Sequence, residues 1–80
     1  MKKGVYKHYK GMYYEVLGVV RHSETLEKLV LYKALYEIKE FGVEFRKEPL
    51  FVRPKEIFEE ILIINNKKVK RFKFIKEMND

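Results

Sequence analysis

The scarcest polar side chains of this 80-residue sequence lie together in one short segment. The chain has one serine, one threonine and two histidines, and both hydroxyl groups and one imidazole occur within Arg21-His22-Ser23-Glu24-Thr25. A loop that presents several hydrogen-bonding groups from a rigid scaffold is a common place for a binding site. Serine and threonine also satisfy backbone amides at turns, so a purely structural interpretation of this segment has equal weight.

The polar inventory argues against an enzyme. A Ser-His-Asp triad would need Ser23, a histidine and either Asp80, the only aspartate, or a glutamate. His8 and His22 lie fourteen residues apart without the close carboxylate spacing of a zinc site, and there is no cysteine. We therefore predict no catalytic residue, no metal and no cofactor. A small enzyme with His8 or His22 as the acid–base group is the least favoured alternative.

Aromatic and basic side chains alternate around the first predicted turn, where Tyr6, His8, Lys10 and Tyr14 are candidate binding residues. Tyr6 and His8 fall on the same face of a strand. Aromatic rings beside cations are what single-stranded nucleic-acid binders use. Tyrosine also packs into cores with its hydroxyl reaching water, and this interpretation is favoured for most of these rings.

The densest positive charge lies near the C-terminal end of the sequence. Strand alternation would turn Phe72 and Phe74 inward and leave Arg71 and Lys73 on the outer face. With Lys68, these two side chains are candidate contacts for the phosphates of a nucleic acid. Lysines also protect an exposed edge strand from aggregation, and this alternative is slightly favoured.

Arg53 is a further candidate for anion binding because the proline that follows it restricts the backbone, although a structural ion pair is the favoured role. The sequence thus indicates a binding module, with RNA or another polyanion as the first hypothesis. The alternative is a protein-interaction module that reads a peptide in an aromatic groove. No membrane partner is predicted.

The composition is that of a small, basic, soluble domain. Eighteen Lys and Arg against twelve Asp and Glu leave a net charge of +6, and 46% of the residues are hydrophobic. We expect a single domain over residues 1–80, with its core at about 4–75. The longest apolar run, residues 61–64, is too short to span a bilayer. Without cysteine or a signal peptide, a cytoplasmic location is the default expectation.

Short runs of β-branched and aromatic residues between turn signals predict an all-β fold. The predicted strands are residues 4–9, 12–21, 28–36, 50–52, 61–64 and 69–75. Gly18 indicates a bulge, and Pro54 opens a helical turn over residues 55–59. The third strand is apolar on both faces and is expected to be covered on both, whereas residues 37–48 form a long excursion. This pattern favours a small SH3-like barrel of five to six short strands with one short helical turn, ahead of an OB-type barrel.

Several segments together are similar to a small bacterial family, domain-of-unknown-function family 1653. They are Tyr6-Lys7-His8-Tyr9-Lys10-Gly11, Tyr14-Glu15-Val16-Leu17-Gly18, Arg21-His22-Ser23-Glu24-Thr25, Val30-Leu31-Tyr32-Lys33-Ala34-Leu35-Tyr36 and Phe51-Val52-Arg53-Pro54. The resemblance covers about residues 4–75 and implies a compact, β-rich, SH3-like domain. It carries no established activity and hence no catalytic residue. Phe51 stands where the family commonly has tryptophan, and Ile57 where methionine is usual.

Overall fold

A computed structural model of the chain describes residues 1–35 and 50–78. Its elements are β1 (Gly4–His8), β2 (Tyr13–Arg21), β3 (Lys28–Ala34), β4 (Leu50–Pro54), α1 (Lys55–Phe58), β5 (Ile61–Ile64), β6 (Lys67–Lys70) and β7 (Phe72–Lys76). The all-β prediction is confirmed, as is the helical turn after Pro54. The excursion expected at residues 37–48 lies outside the described residues. Within the described ranges, no helix has the length and hydropathy needed to cross a membrane.

The described strands form two antiparallel sheets. One sheet has five strands in the order β4-β3-β2-β1-β7, and the other is the hairpin of β5 and β6. Each pairing joins strands by an antiparallel ladder, and β4 and β7 are the two ends of the larger sheet. The sequence favoured a small SH3-like barrel, and in the part of the chain that the structure describes the two sheets do not close into a barrel.

Local sequence signals account for two features of the backbone, and the bulge predicted at Gly18 is confirmed. The β2–β3 register passes from Val16 opposite Tyr32 to Gly18 opposite Leu31, which leaves one extra residue in β2 as a bulge. Asn65 and Asn66 connect β5 to β6 with φ angles of 51° and 65°. Asparagine tolerates this left-handed conformation, and two such residues form the tight turn whose twist matches a hairpin.

The core lies on one face of the five-stranded sheet. Its buried members are Tyr6, Tyr14, Val16, Val30, Tyr32, Ala34, Phe58 and Phe72. Phe58 of α1 covers this face and stacks on Phe72, with ring centroids 4.0 Å apart and planes inclined by 2°. Leu29 and Leu31, on the opposite face of β3, are only half-buried. Among the described residues, α1 packs on the face of β3 that holds Tyr32, and the opposite face is only partly covered.

The predicted last strand, residues 69–75, is divided into two strands at Arg71. β6 pairs with β5, whereas β7 pairs with β1. The Arg71 amide donates to the Glu60 carbonyl at 3.0 Å, and the Arg71 carbonyl accepts from the Tyr9 amide at 2.9 Å. These bonds join the break to the end of α1 and to the turn after β1. The alternation of inward and outward side chains therefore restarts at Arg71, and residues 69–75 are not one continuous strand.

Candidate functional site

A basic groove lies where β1 meets β6 and β7, with a volume of about 470 Å³. We call it the lysine groove. Its lining residues are Lys7, His8, Tyr9, Lys68, Val69, Lys70 and Lys73. Four of the seven carry a positive charge, and no described carboxylate lines the groove. The arrangement suits a ligand with several negative charges.

Two of these lysines are placed against the ordinary rules of sheet stability. Lys7 and Lys73 are direct partners in the β1–β7 ladder, and both side chains are exposed. Like charges directly opposite each other destabilise a sheet. Lys68 and Lys70 add two charges from β6, and the ion pairs among the described residues involve none of these four lysines. None of the four therefore has a carboxylate partner among the described residues, and the Lys7 ammonium lies 5.7 Å from the centroid of the exposed Tyr13 ring.

His8 forms the buried wall of the lysine groove, with 8% of its surface exposed. Its Nδ1 accepts a hydrogen bond from the Lys10 amide at 3.1 Å, and its ring packs edge-on against Phe72. Burial lowers the pKa of the imidazole below its ordinary value, and the nearby cations of Arg53, Arg71 and Lys10 lower it further. Because Nδ1 accepts from the Lys10 amide, the neutral form of the ring carries its proton on Nε2.

Tyr6 and Tyr14 lie in the core and do not line the lysine groove. The Tyr6 hydroxyl donates to the Lys2 carbonyl at 2.7 Å. Burial raises the pKa of this hydroxyl, as does the Glu59 carboxylate, and the bond to Lys2 opposes them. Tyr9 behaves differently, since its exposed ring lines the groove and carries the Lys10 ammonium 5.8 Å from its centroid.

The two arginines singled out from the sequence have structural contacts. Arg71 was expected to share the outer face of one strand with Lys73, but it is half-buried and lies at the break between β6 and β7. Its Nη2 pairs with Glu60 Oε1 at 2.9 Å, while its buried Nε has no partner among the described residues. Arg53 lies with its guanidinium 5.5 Å from the Phe72 ring centroid. Of the three predicted phosphate contacts, Lys68 and Lys73 line the groove and Arg71 does not.

The segment from Arg21 to Thr25 lies at the opposite end of β2 from the lysine groove, separated by roughly 25 Å of strand. Its side chains are exposed. His22 Nδ1 accepts from the amides of Glu24 and Thr25, at 3.1 and 3.4 Å, and Thr25 Oγ1 accepts from the Glu27 amide at 3.2 Å. Arg21 Nη1 donates to the Leu26 carbonyl at 2.9 Å. These bonds close the turn, and a binding role for Ser23 or Glu24 stays a prediction.

Sequence reasoning left out four residues of the lysine groove, namely Lys7, Tyr9, Val69 and Lys70. Alternation along β1 could have indicated Lys7, because it lies between two inward residues of an apolar strand. Its pairing with Lys73 could not be read from the chain, since the two are far apart in sequence.

A second depression, the aromatic pocket, lies next to the lysine groove and has a volume of about 360 Å³. It is lined by Met1, Lys2, Tyr6, Phe58, Glu59, Lys70, Phe72 and Phe74. Lys70 borders both depressions. Phe74 is half-buried, and the Lys2 ammonium lies 5.3 Å from its ring centroid. The pocket combines aromatic surface with a few charges at its rim.

A third depression, of about 380 Å³, mixes charges of both signs. Its lining residues are Glu27, Lys28, Lys55, Glu56 and Glu59. Lys55 Nζ pairs with Glu59 Oε1 at 2.7 Å, which partly neutralises it. Across residues 1–35 and 50–78, no three His, Asp or Glu side chains are grouped so that they could hold a metal ion. This depression offers no distinct ligand chemistry.

Comparisons with known proteins place the chain in a family. A family model described as a protein of unknown function, DUF1653, matches residues 4–74, and the chain belongs to this family. The crystal structure of a DUF1653 protein from Bordetella bronchiseptica is similar, with 31% identity and a TM-score of 0.81. The similarity covers 100% of this chain and 94% of that one. No curated protein matches the chain.

Proposed function

We propose that this protein binds nucleic acid, with single-stranded RNA as the ligand, in the lysine groove. The observation that carries the proposal is the direct pairing of Lys7 with Lys73 inside a groove that no described carboxylate lines. Such a pair lowers the stability of the sheet unless an anion neutralises it. A phosphate backbone supplies that anion at several successive positions.

The energetics of binding come mainly from phosphate neutralisation. Each lysine that pairs with a phosphate releases condensed counterions, so the affinity falls as salt rises. The exposed ring of Tyr9 adds a stacking surface beside these charges. A site of this kind holds the backbone of a strand with little sequence preference.

The first test is a titration of a fluorescent ten-nucleotide RNA, followed by anisotropy over a salt series. We expect a Kd of about 1–100 μM at physiological salt, as for non-specific binding. The slope of log affinity against log salt should be about −0.7 for each phosphate contacted in a single strand. An affinity that salt does not change, or no binding at low salt, would contradict the proposal.

Lys73→Glu separates binding from stability. The new carboxylate faces Lys7 across β1 and β7, so the free energy of unfolding should rise by about 0.2–1 kcal/mol. RNA affinity should fall, and the salt slope should lose about 0.7 for the missing contact. Its matched control is Lys28→Glu, which makes the same charge change opposite Arg21 on β2, outside the lysine groove. Equal loss of affinity in both variants would show that only net charge matters.

A further inference from the structure

The aromatic pocket and the lysine groove meet at the edge strand β7. Lys73 lines the groove and the next residue, Phe74, lines the pocket, while Lys70 borders both. Neighbouring residues of a strand point to opposite faces, with Cα atoms about 3.8 Å apart. Since β7 ends the order of described strands in the five-stranded sheet, a ligand that follows this edge can contact both depressions.

Phe74 has the least buried ring among the aromatic residues of the pocket, so a planar ligand group can reach it. One side of the ring packs edge-on against Tyr6, with centroids 5.3 Å apart. The Lys2 ammonium lies over the ring, which shows that this position is open to a flexible side chain. Because the Tyr6 hydroxyl holds the Lys2 backbone, the ammonium can move while the pocket keeps its shape.

Building on the proposed RNA binding, we infer that the aromatic pocket is a nucleobase subsite. A single strand whose phosphates lie on Lys70 and Lys73 stacks one base on the ring of Phe74. The Lys2 ammonium leaves the ring and pairs with a phosphate. In a duplex the base faces are covered by their neighbours, so a double-stranded ligand uses the lysines alone and binds more weakly.

The test compares two ligands of equal length, a ten-nucleotide RNA and a ribose-phosphate chain without bases. Phe74→Leu keeps an apolar side chain and removes the stacking ring, so RNA affinity should fall roughly five- to 150-fold. Affinity for the abasic chain should stay unchanged. Phe51→Leu is the matched control, because Phe51 is also half-buried against the core but lies on β4, the other edge of the sheet. Unchanged RNA affinity in Phe74→Leu, or an equal loss for both ligands, would overturn the subsite.

A second measurement reports stacking directly. The protein has no tryptophan, so Phe74→Trp introduces a single fluorophore in the pocket. RNA should quench its emission and the abasic chain should not, whereas the indole of Phe51→Trp should respond to neither. If RNA binds but leaves the emission of Phe74→Trp unchanged, the subsite is wrong and the lysine groove stands. If the wild-type protein binds neither ligand, the proposed function itself fails.

Discussion

The turns at the two ends of β2 have the same pattern of local hydrogen bonds. The first turn comprises residues 8–12 and the second residues 22–27. Each begins with a histidine whose Nδ1 accepts from the amide two residues later, Lys10 in the first turn and Glu24 in the second, both at 3.1 Å. The backbone of each histidine also closes its turn. The His8 amide donates to the Met12 carbonyl, and the His8 carbonyl accepts from the Gly11 amide. In the same way, the His22 amide donates to the Glu27 carbonyl, and the His22 carbonyl accepts from the Leu26 amide.

The surroundings of the two histidines differ completely. His8 lies against Phe72 and the cations around the lysine groove, whereas His22 is exposed at the far end of β2. Among the described residues, β6 and β7 pack beside the turn after β1, where the Tyr9 amide donates to the Arg71 carbonyl. A shared turn becomes part of a candidate site where distant strands pack on it.

The largest expected difference is in stability. His8→Ala removes a buried ring and leaves the Lys10 amide without its acceptor, so it should cost about 2–4 kcal/mol in the free energy of unfolding. His22→Ala loses only the exposed turn bonds and should cost about 0.5–1 kcal/mol. Urea unfolding of the two variants measures both values. Equal losses in the free energy of unfolding would mean that His8 stabilises the protein through its turn bonds alone and not through its packing.

A smaller difference in stability is expected at the residue whose amide donates to each histidine carbonyl. Gly11 has φ of 107°, where no other residue type is comfortable, and an added Cβ would meet no atom within 4 Å. Gly11→Ala should therefore cost about 1–2 kcal/mol through backbone strain alone. Leu26 holds the matching position with φ of 62°.

Leu26→Gly relieves the strain of a left-handed leucine and should raise the free energy of unfolding by up to about 1 kcal/mol. The exposed leucine side chain contributes little packing that could offset this gain. Thermal unfolding of both variants gives the comparison. A destabilised Leu26→Gly together with a neutral Gly11→Ala would show that the two turns are not equivalent.

The smallest expected difference is in pH dependence. The pKa of His8 is lowered in the folded protein, from about 6.5 in an unfolded chain. As pH falls below about 6.5, the unfolded chain takes up a proton that folded His8 resists, so stability declines with falling pH. His8→Gln should flatten the profile of unfolding free energy between pH 7 and about 5. A His8→Gln profile as steep as that of the wild-type protein would contradict the lowered pKa of His8.

The positions of most strands and turns along the chain could be predicted because their signals are local. Asn65 and Asn66 tolerate the left-handed turn, Gly18 accompanies the bulge, and Pro54 precedes α1. The break at Arg71 was not predicted, although Val69 would fall on the opposite face from Phe72 and Phe74 in a single strand. The bonds that divide it come from Glu60 and Tyr9, on other elements.

The candidate site was predictable only in part. Lys68 and Lys73 were indicated by charge density, but the same reasoning included Arg71, which the structure pairs with Glu60. Lys7 was missed because its importance depends on the β1–β7 register, which places it opposite Lys73. Register between distant strands follows from which residues are buried together, and a one-dimensional pattern of charge does not contain it.

By itself the sequence determined the all-β class and the main turns, because backbone preferences and apolar alternation act over a few neighbouring residues. The tertiary structure alone decided which lysines share a groove and which histidine is buried. It also separated the scarce polar residues at His22–Thr25 from the lysine groove at the other end of β2. These outcomes depend on contacts between distant strands, whose free energy comes from burial in the assembled core.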